Sequence, residues 1–276
     1  RFKECRVYFN ALDNASKQNV VSNNIFTKAL DANDSEQSSN KGWNLVGNPW
    51  LCYYNIHKMN FTGPITTYNG YTKTYTAYSV IDDDYAIRPN QAFFVQCPNE
   101  LTEISFPVDG RQMTTVIESQ NGARADQPSD RKLIDIELSD GEETDKTRFV
   151  LNPQASMEYE TTCDASKFLD TSTSCPQLYT IEQGERLAIN ERPQGNGTVQ
   201  LGIIVADDGT YTITAPRCQF KSIVLTDHET NTDTELADGG TYTFMANGGT
   251  DNSRFTLSLS GASVTRVQSD ASLNQP

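Results

Sequence analysis

The sequence predicts an all-β protein, because short runs of alternating side chains recur between turn residues along most of its length. Twelve Tyr and twelve Phe accompany many Thr residues, and aromatic and β-branched side chains suit a pleated, half-buried surface. Gly, Asn and Asp separate the runs at spacings too short for helices between the strands. We expect two β-sandwich-like domains in tandem, with little helix.

The stretch GWNLVGNP at 42–49 predicts a strand that ends in a turn. Its Trp, Leu and Val supply apolar side chains for a buried strand end, and the Gly-Asn-Pro that follows favours a turn. Its two Asn residues are neither acids nor nucleophiles at neutral pH, so a structural role is favoured over a catalytic one. The stretch PNQAFFV at 89–95 is the predicted partner strand, with Phe93 and Val95 on one face.

A β-hairpin is predicted around the stretch TTYNGYTKTY at 66–75. Asn69-Gly70 separates two alternating runs, and this dipeptide favours the positive φ values of a two-residue hairpin turn. The second run, YTKTYTAYSV at 71–80, is rich in β-branched and aromatic residues on both faces. We therefore expect its strand to start directly after the glycine.

The second half of the chain repeats this pattern and predicts a β-sandwich. Seven strands are expected, at 132–138, 148–151, 198–205, 210–215, 221–227, 241–246 and 254–260. The segment 155–169 carries no regular assignment beyond a single helical turn.

The predicted domain organisation follows from where apolar periodicity is lost. The polar stretch 109–131 has little such periodicity and separates the two halves. We expect an N-terminal β domain over 1–115, a linker over 116–130, a C-terminal β-sandwich over 131–261 and a flexible tail over 262–276. Before residue 40, one strand is predicted, at 6–12.

Charge and cysteine content exclude several classes of partner. The formal net charge of −14 disfavours nucleic acid and anionic membrane surfaces, and no apolar run approaches 18 residues. The six Cys include no CxxC pair and no phosphate-binding glycine loop is present, so we expect no cofactor. Disulfides between Cys163 and Cys175 or between Cys52 and Cys97 remain open alternatives to buried thiols.

Candidate catalytic groups are few. The two histidines, His57 and His228, lie in different halves and outside any catalytic motif; we expect the first to be a partly buried polar neighbour and the second to be solvated. The run Asp82, Asp83 and Asp84 supplies carboxylates for calcium or for acid–base work on a glycoside. The calcium-loop pattern is absent, so a solvated turn is favoured and no metal is expected.

Aromatic residues are concentrated between residues 43 and 94. Exposed rings of this kind stack on sugars or bury against a partner, whereas a β-sandwich core also needs large apolar side chains, so we expect most of the rings in the core. The candidates for a sugar-binding surface are Trp50, Tyr53, Tyr54, Tyr68 and Tyr71.

Three blocks carry a family resemblance over about residues 40–260. They are GWNLVGNPW with QAFFV, PQLYTIEQGERLAINERP, and YTFMANGGTDNSRFTL. Together they resemble the C-terminal β-rich modules of large cell-surface proteins of Bacteroidetes-type bacteria, which often follow leucine-rich-repeat or β-helix regions. The resemblance implies an extracellular or outer-surface location and a non-catalytic role, and it carries no site residues onto this sequence.

Three functions are therefore weighed. The first is a non-catalytic structural or adhesion module of a larger surface protein, whose partner is a host protein, a surface protein or a glycan. The second is a carbohydrate-binding module that uses the aromatic residues between 43 and 94. The third, and the least favoured, is a glycoside hydrolase that uses carboxylates of the 82–84 run, which requires two carboxyl groups about 5 to 10 Å apart in a cleft.

Overall fold

The computed structural model describes residues 25–32, 41–98, 103–117, 131–193 and 197–260. Within these ranges the chain is built of strands, with three short 3₁₀ segments and no α-helix, which confirms the all-β prediction. The 3₁₀ segments are Ile56–Lys58, Val108–Gly110 and Ala237–Gly239. The strand predicted at 6–12, most of the predicted linker and the predicted tail lie outside the described residues.

The described residues of the first half form nine strands in three antiparallel sheets. The strands are β1 Ile25–Ala29, β2 Trp43–Gly47, β3 Tyr53–Asn55, β4 Ile65–Asn69, β5 Thr74–Tyr78, β6 Ala86–Ile87, β7 Ala92–Gln96, β8 Glu103–Pro107 and β9 Arg111–Gln112. A four-stranded sheet has the order β2-β7-β4-β5, a three-stranded sheet the order β6-β3-β9, and β1 pairs with β8. A shared apolar core lies between these sheets.

In the second half, residues 131–193 and 197–260 form one eleven-stranded sheet. The strands are β10 Lys132–Ser139, β11 Thr144–Leu151, β12 Ala165–Ser166, β13 Gln177–Glu182, β14 Glu185–Arg192, β15 Thr198–Val205, β16 Gly209–Cys218, β17 Ser222–Asp227, β18 Thr232–Glu235, β19 Thr241–Ala246 and β20 Gly249–Ser260. Their order is β18-β17-β20-β15-β13-β14-β11-β10-β16-β19, with β12 beside β14. Only the β11–β14 pair is parallel among these pairings.

This sheet curls around its own apolar core. The hydroxyl of Tyr242 on β19 donates to Oδ2 of Asp227 on β17 over 2.8 Å, so strands from opposite ends of the sheet approach each other. Ile134, Leu201 and Leu257, from three different strands, are buried together inside the curve. Hydrogen bonds thus connect all eleven strands, where the sequence had suggested two facing sheets.

The predicted pairing of GWNLVGNP with QAFFV is confirmed. Strands β2 and β7 are antiparallel, with Val46 opposite Phe93, and Phe93 and Val95 are both fully buried. Leu45 was expected to be buried, and this was wrong. It lies opposite Phe94, on the other face of the sheet, and 60% of it is exposed. Alternation along a strand requires this, because neighbouring side chains point to opposite faces.

Both Asn residues of this motif hold the backbone in place. The Asn48 side chain donates from Nδ2 to the carbonyls of Cys52, Ile87 and Arg88, and its Oδ1 accepts from the amide of Trp50. Asn44 exchanges hydrogen bonds with the backbone of Asp31 in the same manner. The motif therefore ties a strand end to neighbouring loops.

The predicted hairpin is present, but its turn is longer than expected. Strands β4 and β5 pair from Ile65 with Tyr78 to Asn69 with Thr74, so four residues connect them instead of two. Lys73 takes the positive φ, at 56°, in the place expected for the Asn-Gly pair. The strand consequently starts at residue 74 and not at residue 71.

Two long strands, β13 and β14, were missing from the predicted set. They form a hairpin whose connecting residues Gln183 and Gly184 both have positive φ, at 50° and 86°. Two residues with positive φ are the signature of a tight type I′ turn. A Gln-Gly pair is a weaker turn signal than Asn-Gly, which is why the sequence pattern did not reveal it.

Candidate functional site

Both faces of the four-stranded sheet of the first half make packing contacts. One face carries Phe93 and Val95 into the first-half core, and the opposite face lies against the second half. We call this second contact surface the seam. Its residues on the first-half side are Trp43, Tyr75, Ala77, Asp82, Asp83 and Phe94; those on the second-half side are Arg131, Asp135, Arg148, Phe168, Ala188 and Glu191.

The aromatic part of the seam is a socket for one ring. Phe168 of the second half lies with its ring centroid 4.6 Å from that of Trp43 and 5.3 Å from those of Tyr75 and Phe94. All three contacts have the edge-to-face geometry that aromatic rings prefer. Next to it along β5, Ala77 packs with small and apolar residues of the second half.

The ionic part of the seam begins with a turn that presents two carboxylates. The Ser79 hydroxyl donates to Oδ2 of Asp82, and the Ser79 amide donates to Oδ2 of Asp83. The Ser79 hydroxyl oxygen in turn accepts from the amide of Asp82. These hydrogen bonds within the turn orient both carboxylates towards the second half, independently of the arginines there.

Two buried arginines of the second half bind these carboxylates. Arg131 binds both oxygens of Asp82, at 2.6 and 2.7 Å, and also binds Glu191 at 2.8 Å. Arg148 binds both oxygens of Asp83, at 2.9 and 2.7 Å. Paired two-point contacts of this kind combine charge with strict geometry.

The ionic part of the seam contains a fourth carboxylate, in addition to those of Asp82, Asp83 and Glu191, and it contacts Arg148. Asp135 lies directly opposite Arg148 on the neighbouring strand and binds its Nε at 2.5 Å. Arg217, on the other side of Asp135, approaches Asp83 at 3.6 Å and is partly exposed. Side chains of both halves are therefore required to balance the buried charge.

The environment of Asp82 keeps it ionised. Burial on its own raises the pKa of Asp82, but hydrogen bonds and charge from Arg131 outweigh that effect, so the pKa lies below its ordinary value. Burial likewise opposes the charge on Arg148, and its contacts with Asp135 and Asp83 raise its pKa nevertheless. Asp82 and Arg148 are thus both charged at neutral pH.

The expectation of a solvated turn over the aspartate run was wrong for two of its three members. Asp82 is 8% exposed and Asp83 is largely buried, because the second half covers them. Asp84 is half-exposed and contacts Nε2 of His57 at 3.0 Å, which makes His57 the partly buried polar neighbour that was predicted. Within the described ranges, no group of three or more His, Cys, Asp and Glu is arranged to hold a metal ion.

The five sugar-binding candidates do not form one surface. Tyr54 is fully buried, and its hydroxyl donates to the carbonyl of Pro107. Tyr53 pairs with β9 and is half-buried, and Trp50 is half-buried under the guanidinium of Arg111, 5.0 Å from the ring centroid. These three belong to the sheet and loops of the first half.

The other two candidates, Tyr68 and Tyr71, are exposed at the edge of the seam. Tyr68 is 42% exposed and stacks obliquely on Tyr75, and its hydroxyl lies 3.5 Å from Oδ2 of Asp170. Tyr71 is 90% exposed and borders a cleft of about 310 Å³ between the two halves. Sequence reasoning found these rings but had no means of finding the cleft.

Two of the described cysteines are poor nucleophiles. Burial, followed by the charges of Asp145 and Glu143, raises the pKa of Cys175 to about 12. Burial also raises the pKa of Cys163 well above its ordinary value. Both are thiols and are not bonded to each other, so the disulfide alternative for this pair is not found. A thiol with a raised pKa is an inert group at neutral pH.

A second concavity, of about 430 Å³, lies in the second half beside β19 and β20. Its only strongly basic lining group is Arg254, which is buried against Asp227 and also contacts Glu229 at 2.5 Å. His228 nearby is exposed and bonds to the hydroxyl of Thr256. The guanidinium is thus occupied by acidic neighbours, and the groove presents no cation for a ligand.

The described structure defines an all-β protein whose two halves share a buried, charged seam. The chain belongs to the family described as "Domain of unknown function (DUF8693)", whose match covers residues 51–259 and therefore both sides of the ionic part. The comparisons with curated proteins and with solved structures each gave no match. No helix in the described ranges has the length and hydrophobicity to cross a bilayer.

Proposed function

We propose that this chain is a non-catalytic structural and adhesive module of a larger cell-surface protein. The observation that carries the proposal is the buried ionic part of the seam, in which Asp82 and Asp83 of one half are held by Arg131 and Arg148 of the other. Separating the halves would leave these charges without their partners. Such a separation is costly, so the halves move and resist force as one body.

The chemistry of the same groups supports a non-catalytic role. A glycosidase needs one carboxyl group with a raised pKa as its acid, whereas the pKa of Asp82 is lowered. Asp82 and Asp83 also face arginines of the second half and do not face an open cleft. The third function weighed above, hydrolysis by the 82–84 carboxylates, is therefore the poorest fit to this site.

The surface location rests on the resemblance of the three sequence blocks to modules of cell-surface proteins. The net charge of −14 agrees with a partner other than nucleic acid or an anionic membrane. A module that joins its halves rigidly is well suited to hold a neighbouring binding region away from a cell. Its partners are then a host protein, a surface protein or a glycan.

Pulling the whole chain from its two ends in a single-molecule force experiment tests the mechanical role. We expect one main unfolding event for the natural chain and two weaker, separate events for the double variant Asp82→Asn/Asp83→Asn. Two separate events in the natural chain would contradict a rigid module. Turnover of aryl glycosides that is lost in the Asp82→Asn variant would contradict the non-catalytic role.

A further inference from the structure

A polar cleft of about 310 Å³ lies where the β4–β5 turn meets a loop of the second half. It is lined by residues 71–73 on one side and by Glu143 and residues 172–175 on the other. Its volume is at the lower end of the range for small-molecule sites. The cleft exists only because the seam brings the two halves together.

The walls of the cleft are fixed by hydrogen bonds across the seam. The Thr173 hydroxyl donates to the carbonyl of Thr72 over 2.6 Å, and Nζ of Lys73 donates to the carbonyl of Ser172 over 3.2 Å. The amide of Cys175 donates to the same Thr173 hydroxyl oxygen. Lys73 also adopts a φ of 56°, which a residue with a side chain rarely takes without surrounding support. The shape is therefore set before a ligand arrives.

The groups lining the cleft match the chemistry of a sugar ring. Tyr71 offers a ring that is 90% exposed, and ring faces suit the C–H face of a pyranose. The half-buried Glu143 carboxylate has no hydrogen-bond partner among the described residues, and Lys73 uses one of its three N–H donors. A carboxylate accepts from neighbouring sugar hydroxyls, and an ammonium donates to them.

From this arrangement we propose that the cleft binds a neutral hexose unit of a glycan. Among the residues that line the cleft, the ammonium of Lys73 and the carboxylate of Glu143 are the two charged groups, so the lining favours neither an anionic nor a cationic sugar. The proposal identifies the class of partner for the adhesive role, and in that respect it rests on the proposed function. It is separate from the ionic part of the seam, so the two proposals fail in different experiments.

Titration of the full chain with methyl glycosides of glucose, galactose and mannose and with neutral oligosaccharides, followed by ligand-observed NMR and calorimetry, tests the proposal. We expect saturable binding to at least one probe that weakens about tenfold or more in Tyr71→Ala. Glu143→Gln, which keeps the shape of the side chain, is expected to weaken the same probe. The matched control is Leu51→Ala, an 81% exposed side chain beside the three-stranded sheet, which should bind as the natural chain does.

The outcomes are distinguishable, because Tyr71 is exposed and we expect Tyr71→Ala to leave the folded chain intact. No saturable binding to any neutral probe, or equal binding by Tyr71→Ala and the natural chain, would overturn the hexose site. Binding restricted to acidic sugars would also overturn it. None of these results changes the unfolding behaviour on which the structural role depends.

Discussion

The aromatic and ionic parts of the seam join the same two halves through different forces. Phe168 is held by three rings whose attraction depends on contact area and is insensitive to pH. Asp82 and Asp83 are held by arginines, and each charge is costly as soon as its partner leaves. The aromatic contacts thus stabilise the association of the two halves. The ion pairs make any other arrangement of the halves unfavourable, because it would leave buried charges unpaired.

The largest expected effect comes from removing a buried cation. Arg148→Met leaves Asp83 and Asp135 buried without their main partner, and we expect the free energy of unfolding to fall by about 3–5 kcal/mol. Urea denaturation measures the change. The matched control is Arg217→Met, at the partly exposed edge of the same cluster, which should cost less than about 1 kcal/mol. Equal losses in the two variants would show that burial of the charge is not decisive.

The aromatic part should respond less strongly. Phe168→Ala empties the three-ring socket, and because the ring is half-buried we expect a loss of about 2–3 kcal/mol. Phe168→Leu fills most of the socket and should cost less than about 1.5 kcal/mol. Both losses should be the same at pH 7 and pH 3. A strong pH dependence would mean that the two parts of the seam do not act independently.

The ionic part, in contrast, should weaken in acid. Because the pKa of Asp82 is lowered in the folded state, its contribution is fully present above its ordinary value of 3.8 and is lost as the pH falls towards the lower folded value. The stability difference between the natural chain and Asp82→Asn should therefore be largest at neutral pH and shrink below pH 3.8. A difference that stays constant down to pH 2 would contradict the assignment of charge at Asp82.

The smallest effect is expected at the third aspartate of the run. Asp84 is half-exposed and contacts the partly exposed His57, so Asp84→Asn should cost less than about 1 kcal/mol. Thermal unfolding at neutral pH measures it. A loss as large as that of Asp82→Asn would place Asp84 in the buried network.

Sequence patterns revealed which residues share a face but not what covers that face. Alternation placed Phe93 and Val95 together correctly, and the same alternation puts Asp135 on the face of β10 that points away from the core. That face would normally meet water. The 82–84 run was interpreted as a solvated turn because it lacks the calcium-loop pattern. Only the packing of the two halves shows that arginines lie opposite these carboxylates.

Part of the site could have been predicted from the sequence. Pairing KLIDIEL with RFVL as a hairpin places Asp135 opposite Arg148, and opposite charges across strands are a known source of stability. Phe168 lay in a segment without periodicity, and nothing in its neighbours indicated a socket in the first half. The cleft beside Tyr71 depends on contacts a hundred residues apart in sequence, such as that of Thr173 with Thr72, which no local pattern encodes.

The central claim is that the ionic part makes the two halves unfold together. Both tryptophans, Trp43 and Trp50, lie in the first half, so their fluorescence reports that half, while hydrogen exchange of β15 and β20 reports the second. In a urea titration we predict coincident transitions for the natural chain and separated transitions for Asp82→Asn/Asp83→Asn. Transitions that are already separate in the natural chain, or that stay coincident in the double variant, would contradict the claim.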